Sequence, residues 1–197
     1  DDWPGVERQK AIYQDVARSF PGQVTLRTLD IGGDKVLPYF RFPHEDNPLL
    51  GLRSIRFSME HLDLFREQVR AILLARASGA RLRVVLPMVS NVWEVEAARE
   101  VLHQQAREIG LDDARLPPLG IMAEVPAITC QLDDFKDLAD FISVGTNDLV
   151  QYLLAVDRGS NTVAHLYSSF HPSVLRTLHE ICIASRELKK EVTVCGE

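Results

Sequence analysis

The stretch FISVGTNDLVQY, residues 141–152, decides how this sequence is read. It opens as an apolar run at 141–144 with no polar alternation, which predicts a strand of a parallel sheet covered on both faces. Gly145 and Thr146 predict the exit turn. Asn147 and Asp148 then set an amide and a carboxylate at the strand's C-terminal end, the edge where α/β folds place their sites. Taken alone, Thr-Asn-Asp is a good cap for a helix starting at Leu149, because these side chains accept the orphan N–H groups of a first turn.

Other predicted strands close in the same way. The run 119–123 ends on Glu124, with Pro126 two residues later, and 192–194 ends on Cys195. Residues 24–29 carry Arg27 and lead to Asp30 before Gly32 and Gly33 turn the chain. Residues 82–86 carry Arg83 and stop at Pro87-Met88. Four apolar strands thus deliver carboxylates, an amide, a thiol and a guanidinium to one edge, a distribution that a core does not need.

Composition narrows the class. Of 197 residues, 46% are hydrophobic and 25% charged, which suits a soluble globular domain with one sizeable core. The net charge of -6 argues against broad nucleic-acid or anionic-membrane binding, which rewards clustered Lys and Arg. No apolar run is long enough for membrane insertion. Cys130, Cys182 and Cys195 are far apart and form no CxxC, so they suggest neither a disulfide framework nor a structural zinc site, and a cytoplasmic location is expected.

Outward from the central stretch, residues 3–20 predict a helix with Pro4 in its first turn. Residues 31–51 predict a long irregular loop, rich in Gly and Pro, with Asp34, Lys35, Arg53 and Arg56 within or just beyond it; loops of that length are usually functional. Apolar residues at 62, 65, 69, 72 and 73 predict one amphipathic helix over 59–76. Asn91 and Glu94 resemble a capping box opening a helix that runs to about Ile109. Further helices are expected over 128–138, 149–156 and from Pro172, the last with Leu175, Leu178, Ile181 and Cys182 on its buried face. The six histidines, at 44, 61, 103, 165, 171 and 179, fall in loops or helices and are expected to be solvated or packed.

Strands alternating with helices give an α/β fold, an open doubly wound sheet or a barrel. Five strands are countable, and a complete barrel takes about 250 residues. A partial (β/α)8 TIM barrel is therefore expected, with about five of eight strands.

The runs TLRTLDIGGDK (25–35), EDNPLLGLRSIR (45–56), GIMAEVPA (120–127), SVGTNDLVQYLLAVDRG (143–159) and CGE (195–197) resemble the phosphoenolpyruvate-binding barrel of enzyme I, the phosphoenolpyruvate-protein phosphotransferase of the bacterial phosphotransferase system. The resemblance covers nearly the whole chain. GTNDL, AVDRG and His171-Pro172 favour enzyme I over its relatives pyruvate phosphate dikinase and phosphoenolpyruvate synthase, and LYSSFHP is closer to the nitrogen-branch paralogue than to the sugar-transport enzyme. Two departures stand inside the matched runs: Leu52 where the family usually has Trp, and Thr129-Cys130-Gln131 in place of small residues.

That resemblance implies a phosphotransferase that uses Mg²⁺ to move a phosphoryl group from phosphoenolpyruvate to a protein histidine, releasing pyruvate, and then to an HPr-type carrier. It implies Arg27, Arg53, Asn147 and Arg158 as substrate contacts, whose planar guanidinium forks suit phosphate and carboxylate oxygens. It implies Glu124 and Asp148 as metal ligands, a number suited to Mg²⁺, which keeps water and substrate oxygens in its shell. Cys195 matches the family's proton donor to the enolate of pyruvate; a thiol is mostly protonated at neutral pH, as an acid must be. Nothing resembles the family's acceptor-histidine motif, so the chain reads as a fragment of the barrel, without the N-terminal phosphohistidine domain and the barrel's two ends. A homodimer is expected of the full-length protein. The competing readings are a Mg²⁺-dependent lyase acting through an enolpyruvate and a non-catalytic phosphoenolpyruvate-sensing module.

Overall fold

In the computed structural model residues 3–32, 40, 42 and 44–196 are described, so Asp34, Lys35 and Glu197 lie outside the described residues. Five strands, β1 (Val24–Arg27), β2 (Leu82–Leu86), β3 (Leu119–Ala123), β4 (Phe141–Gly145) and β5 (Glu191–Cys195), form one parallel sheet in sequential order. Between them run α1 (Val6–Ser19), α2 (Ile55–Glu60), α3 (Leu62–Ala77), α4 (Val92–Glu108), α5 (Pro126–Thr129), α6 (Thr146–Leu154) and α7 (Pro172–Glu187). Unbroken strand order with helical crossovers is the connectivity of a (β/α)8 barrel, of which this sheet is the five-stranded part.

Period-2 alternation sorts the strand residues between two faces. Leu82, Val84, Leu86, Leu119, Ile121, Ala123, Ile142 and Val144 join the main core with Phe65, Val69, Ile72, Val95, Leu102 and Ile181 of the helices. On the other face Val85, Met122 and Phe141 form a small second cluster. Registers place Arg27 beside Val85, Met122 beside Ser143 and Gly145 beside Cys195 on that second face. In a closed barrel this is the interior, which explains why strands buried on the helix side still carry chemistry on the other.

Several local expectations need correction. The helix expected over 59–76 is two, broken at His61, whose φ of -116° and ψ of 61° interrupt the α-helical path; its ring packs 4.3 Å from that of Phe57. The helix expected over 128–138 is only the four-residue α5 followed by a 3-10 turn, Leu132–Phe135. Pro4 stands before α1, not in its first turn. No turn separates β4 from α6, because Thr146 is already helical. On α7 the buried residues are Val174, Thr177, Ile181 and Ser185, whereas Cys182 is exposed and Leu175 is 48% exposed, so the apolar face was placed about one residue out of phase. The capping box holds: Glu94 Oε2 accepts from Asn91 N at 2.8 Å.

Candidate active site at the strand ends

The C-terminal ends of β1, β3, β4 and β5 converge on a cleft of about 360 Å³. Arg27, Glu124, Asn147, Asp148, Arg158 and Cys195 line it, with Met122, Gly145 and Gly196 completing the walls. Six of the seven residues singled out from the sequence are therefore brought together. The seventh, Arg53, does not line the cleft; it stands behind Asp148.

Glu124 follows directly on β3 and is 2% exposed. Its Oε1 accepts the Met88 N–H at 2.6 Å, aimed there because Met88 adopts a positive φ of 58°, a conformation that a non-glycine residue holds only when its surroundings impose it. Burial, and next the charge of Asp148, push the Glu124 carboxyl up to about 8, against the pull of the Met88 hydrogen bond. Gly145 makes the room: a Cβ there would collide with Glu124 Oε2.

Asp148 lies in the first turn of α6, where the helix dipole favours a carboxylate. Both its oxygens accept from Arg53, Nη1 to Oδ1 and Nη2 to Oδ2, each at 3.2 Å. Arg53 is 1% exposed. Burial opposes its charge, but Asp148, Tyr152 and Asp30 outweigh that cost and raise its pKa, so the guanidinium stays charged.

The cleft side is less tightly paired. Arg158 Nη2 is 3.9 Å from Asp148 Oδ1, and its Nη1 is buried with no hydrogen-bond partner among the described residues. Arg27 is half-exposed, with Nη2 3.3 Å from Asp30 Oδ2. Asn147 is held by its backbone, whose carbonyl accepts from Tyr167 Oη at 3.2 Å. Cys195 ends β5 with its thiol exposed; Sγ donates to Val144 O at 3.3 Å and lies 3.7 Å from Ser143 Oγ. None of the six histidines lines the cleft.

Among the described residues no group of three or more His, Cys, Asp or Glu side chains could hold a metal alone. The cleft instead offers two carboxylates, one of them uncompensated. That donor set fits a hard cation that completes its shell with water and ligand oxygens, and fits neither zinc nor copper. Sequence reasoning passed over Met88, Ser54 and Tyr152. The last had a signal: it stands four residues after Asp148, on the same side of a helix.

Residues 1–197 match the family model of the PEP-binding domain of PEP-utilising enzymes. The chain belongs to this family. It is 44% identical over 200 residues to a protein of Salmonella typhimurium named for the phosphoenolpyruvate-dependent phosphotransferase system, and equally so to one of Escherichia coli, covering 99% of this chain and 26% of each relative. A phosphoenolpyruvate-protein phosphotransferase of Listeria monocytogenes is 41% identical over 201 residues, 100% of this chain and 35% of that protein. The chain thus spans about a quarter to a third of the length of these relatives. Among solved structures, a Haloferax volcanii malate synthase in its magnesium and glyoxylate complex superposes with a TM-score of 0.60 at 12% identity, over 98% of this chain and 49% of the other. A citrate lyase of Burkholderia xenovorans gives 0.55 at 19%, over 95% and 50%. These two likenesses are of fold, and they bear out the partial barrel read from the sequence.

Proposed function

We propose that this chain is the phosphoenolpyruvate-binding part of an enzyme I, which transfers the phosphoryl group of phosphoenolpyruvate to a protein histidine outside these residues and thence to an HPr-type carrier. One observation carries the reading: in a chain of this family, the strand ends gather arginine donors, two carboxylates and a thiol around a single cleft. Arg27, Asn147 and Arg158 supply N–H donors for the phosphate and carboxylate oxygens, and Nη1 of Arg158, with no partner among the described residues, is a donor that such an oxygen would satisfy. Arg53 adds positive potential from behind.

Glu124 and Asp148 would hold Mg²⁺, which when bound supplies positive charge to the substrate oxygens as negative charge spreads in phosphoryl transfer. The bond that breaks joins phosphorus to the enol oxygen, and the bond that forms joins phosphorus to an imidazole nitrogen of the acceptor. Cys195 Sγ–H then gives its proton to the methylene carbon of the enolate, yielding pyruvate, and the thiolate is reprotonated from solvent. The hydrogen bond from Cys195 Sγ to Val144 O ties the thiol to the neighbouring strand end at the edge of the cleft.

The carrier, the homodimer and the branch served, sugar uptake or nitrogen regulation, belong to the same reading through the resemblance alone. The experiment is exchange of label between pyruvate and phosphoenolpyruvate by the full-length protein with Mg²⁺. Exchange is expected. Carbon-carbon bond formation between pyruvate and an aldehyde or acyl donor, in place of exchange, would support the lyase reading instead.

A further inference from the structure

Behind the cleft wall runs a connected set of donors and acceptors. Arg53 Nη1, besides its bond to Asp148, lies 3.1 Å from Tyr152 Oη, and Tyr152 Oη donates to Leu49 O at 2.6 Å. Nη2 reaches Asp30 Oδ1 at 3.4 Å, and Ser54 Oγ donates to that same oxygen. The backbone is fitted to this arrangement. Gly32, with φ of 97°, lets the segment pass so closely that a Cβ there would stand 2.9 Å from Arg53 Cβ. Ser54 N donates to Ile31 O at 3.0 Å, and Ser54 itself has a positive φ of 53°.

Asp148 therefore does not choose its own orientation, since the planar fork of Arg53 takes both its oxygens. The fork is fixed in turn by Tyr152, whose hydroxyl accepts from Arg53 and donates to a backbone carbonyl of the Pro48–Leu50 turn. Phenylalanine would fill the same volume and lose both bonds. Groups that orient metal-binding side chains in this way typically change affinity by ten- to a hundredfold when removed.

We propose that Tyr152 is a positioning residue of this site, fixing the Arg53 guanidinium and through it the Asp148 carboxylate in the orientation that Mg²⁺ binding requires. The proposal rests on the reading of Asp148 as a metal ligand.

The test is calorimetric titration of phosphoenolpyruvate into the full-length protein at graded MgCl₂ concentrations, for wild type, Tyr152→Phe, Arg53→Lys and the double variant. Tyr152→Phe is expected to raise the half-saturating Mg²⁺ concentration roughly tenfold, with affinity at saturating Mg²⁺ nearly unchanged and the melting temperature lowered, since Arg53 Nη1 and Leu49 O each lose a bond. Arg53→Lys, which keeps the charge and loses the fork, is expected to raise it further, and Tyr152→Phe is expected to add nothing in that background. An unchanged Mg²⁺ requirement in Tyr152→Phe, or additive effects in the double variant, overturns the proposal. Should Tyr152→Phe fail to fold, an unchanged requirement in Arg53→Lys does the same. A wild-type protein that binds phosphoenolpyruvate without regard to Mg²⁺ overturns the metal-ligand reading itself, a result distinct from a normal Mg²⁺ requirement that Tyr152→Phe leaves untouched.

Discussion

The two arginines flanking Asp148 are opposites. Arg53, on the inner side, is fully buried, its terminal nitrogens are bonded to Asp148, Tyr152 and Asp30, and its Nε has no partner among the described residues. Arg158, on the cleft side, is 3.9 Å from the same carboxylate and keeps a buried Nη1 with no partner among the described residues. Removing a partner from a buried charge is expensive, and Arg53 already gives both its terminal nitrogens to the protein, whereas a terminal nitrogen without a partner costs stability until something accepts from it. The inner wall therefore sets geometry, and the cleft wall is built to bind.

The largest effect expected is at Cys195. Cys195→Ser should slow turnover roughly 10²- to 10⁴-fold, the contribution usual for a general acid, while binding of phosphoenolpyruvate measured by calorimetry stays nearly intact. Loss of binding instead would move Cys195 from chemistry to architecture.

Next comes Arg158→Met. Losing hydrogen bonds to charged oxygens should weaken phosphoenolpyruvate binding by about 1.5–3 kcal/mol, roughly ten- to a hundredfold, with the half-saturating Mg²⁺ concentration little moved. If Mg²⁺ dependence shifts and substrate affinity does not, the contrast between the two arginines is broken.

A smaller effect sharpens the contrast within the carboxylate pair. Glu124 is raised to about 8 in the folded protein, so between about 4.5 and 8 the folded state keeps a proton that the unfolded chain has lost. The stability tied to that proton is complete at low pH and is lost as pH rises through 8, with a limiting slope of about 1.4 kcal/mol per pH unit. In metal-free protein, melting temperatures from pH 5 to 9 should fall along a slope that Glu124→Gln flattens by several kelvin overall. Parallel curves for wild type and variant would show that Glu124 is already compensated without metal.

Much of this was legible in the sequence because strand ends are marked by composition. β2 and β3 were bounded to the residue, since apolar runs stopped by Pro87 and by Glu124 leave little freedom. Arg27, Glu124, Asn147, Asp148 and Cys195 were legible for the same reason, each lying at or near a strand end, whereas Arg158 came only through the family resemblance. What failed was set by tertiary contacts. His61 breaks a helix whose periodicity runs on through it, because its ring packs on Phe57. Cys182 and Leu175 read as core, yet the residues that α7 buries are Val174, Thr177, Ile181 and Ser185. The pairing of Arg53 with Asp148 depends on a contact across 95 residues that spacing does not encode.

The central claim is that the cleft binds phosphoenolpyruvate through two carboxylates and a divalent cation. Calorimetric titration of phosphoenolpyruvate into the full-length protein, first with Mg²⁺ and then with a chelator, tests it most directly. The account predicts saturable binding with Mg²⁺ that the chelator abolishes and that Glu124→Ala removes. Binding of equal strength with and without metal, or none in either condition, would contradict it.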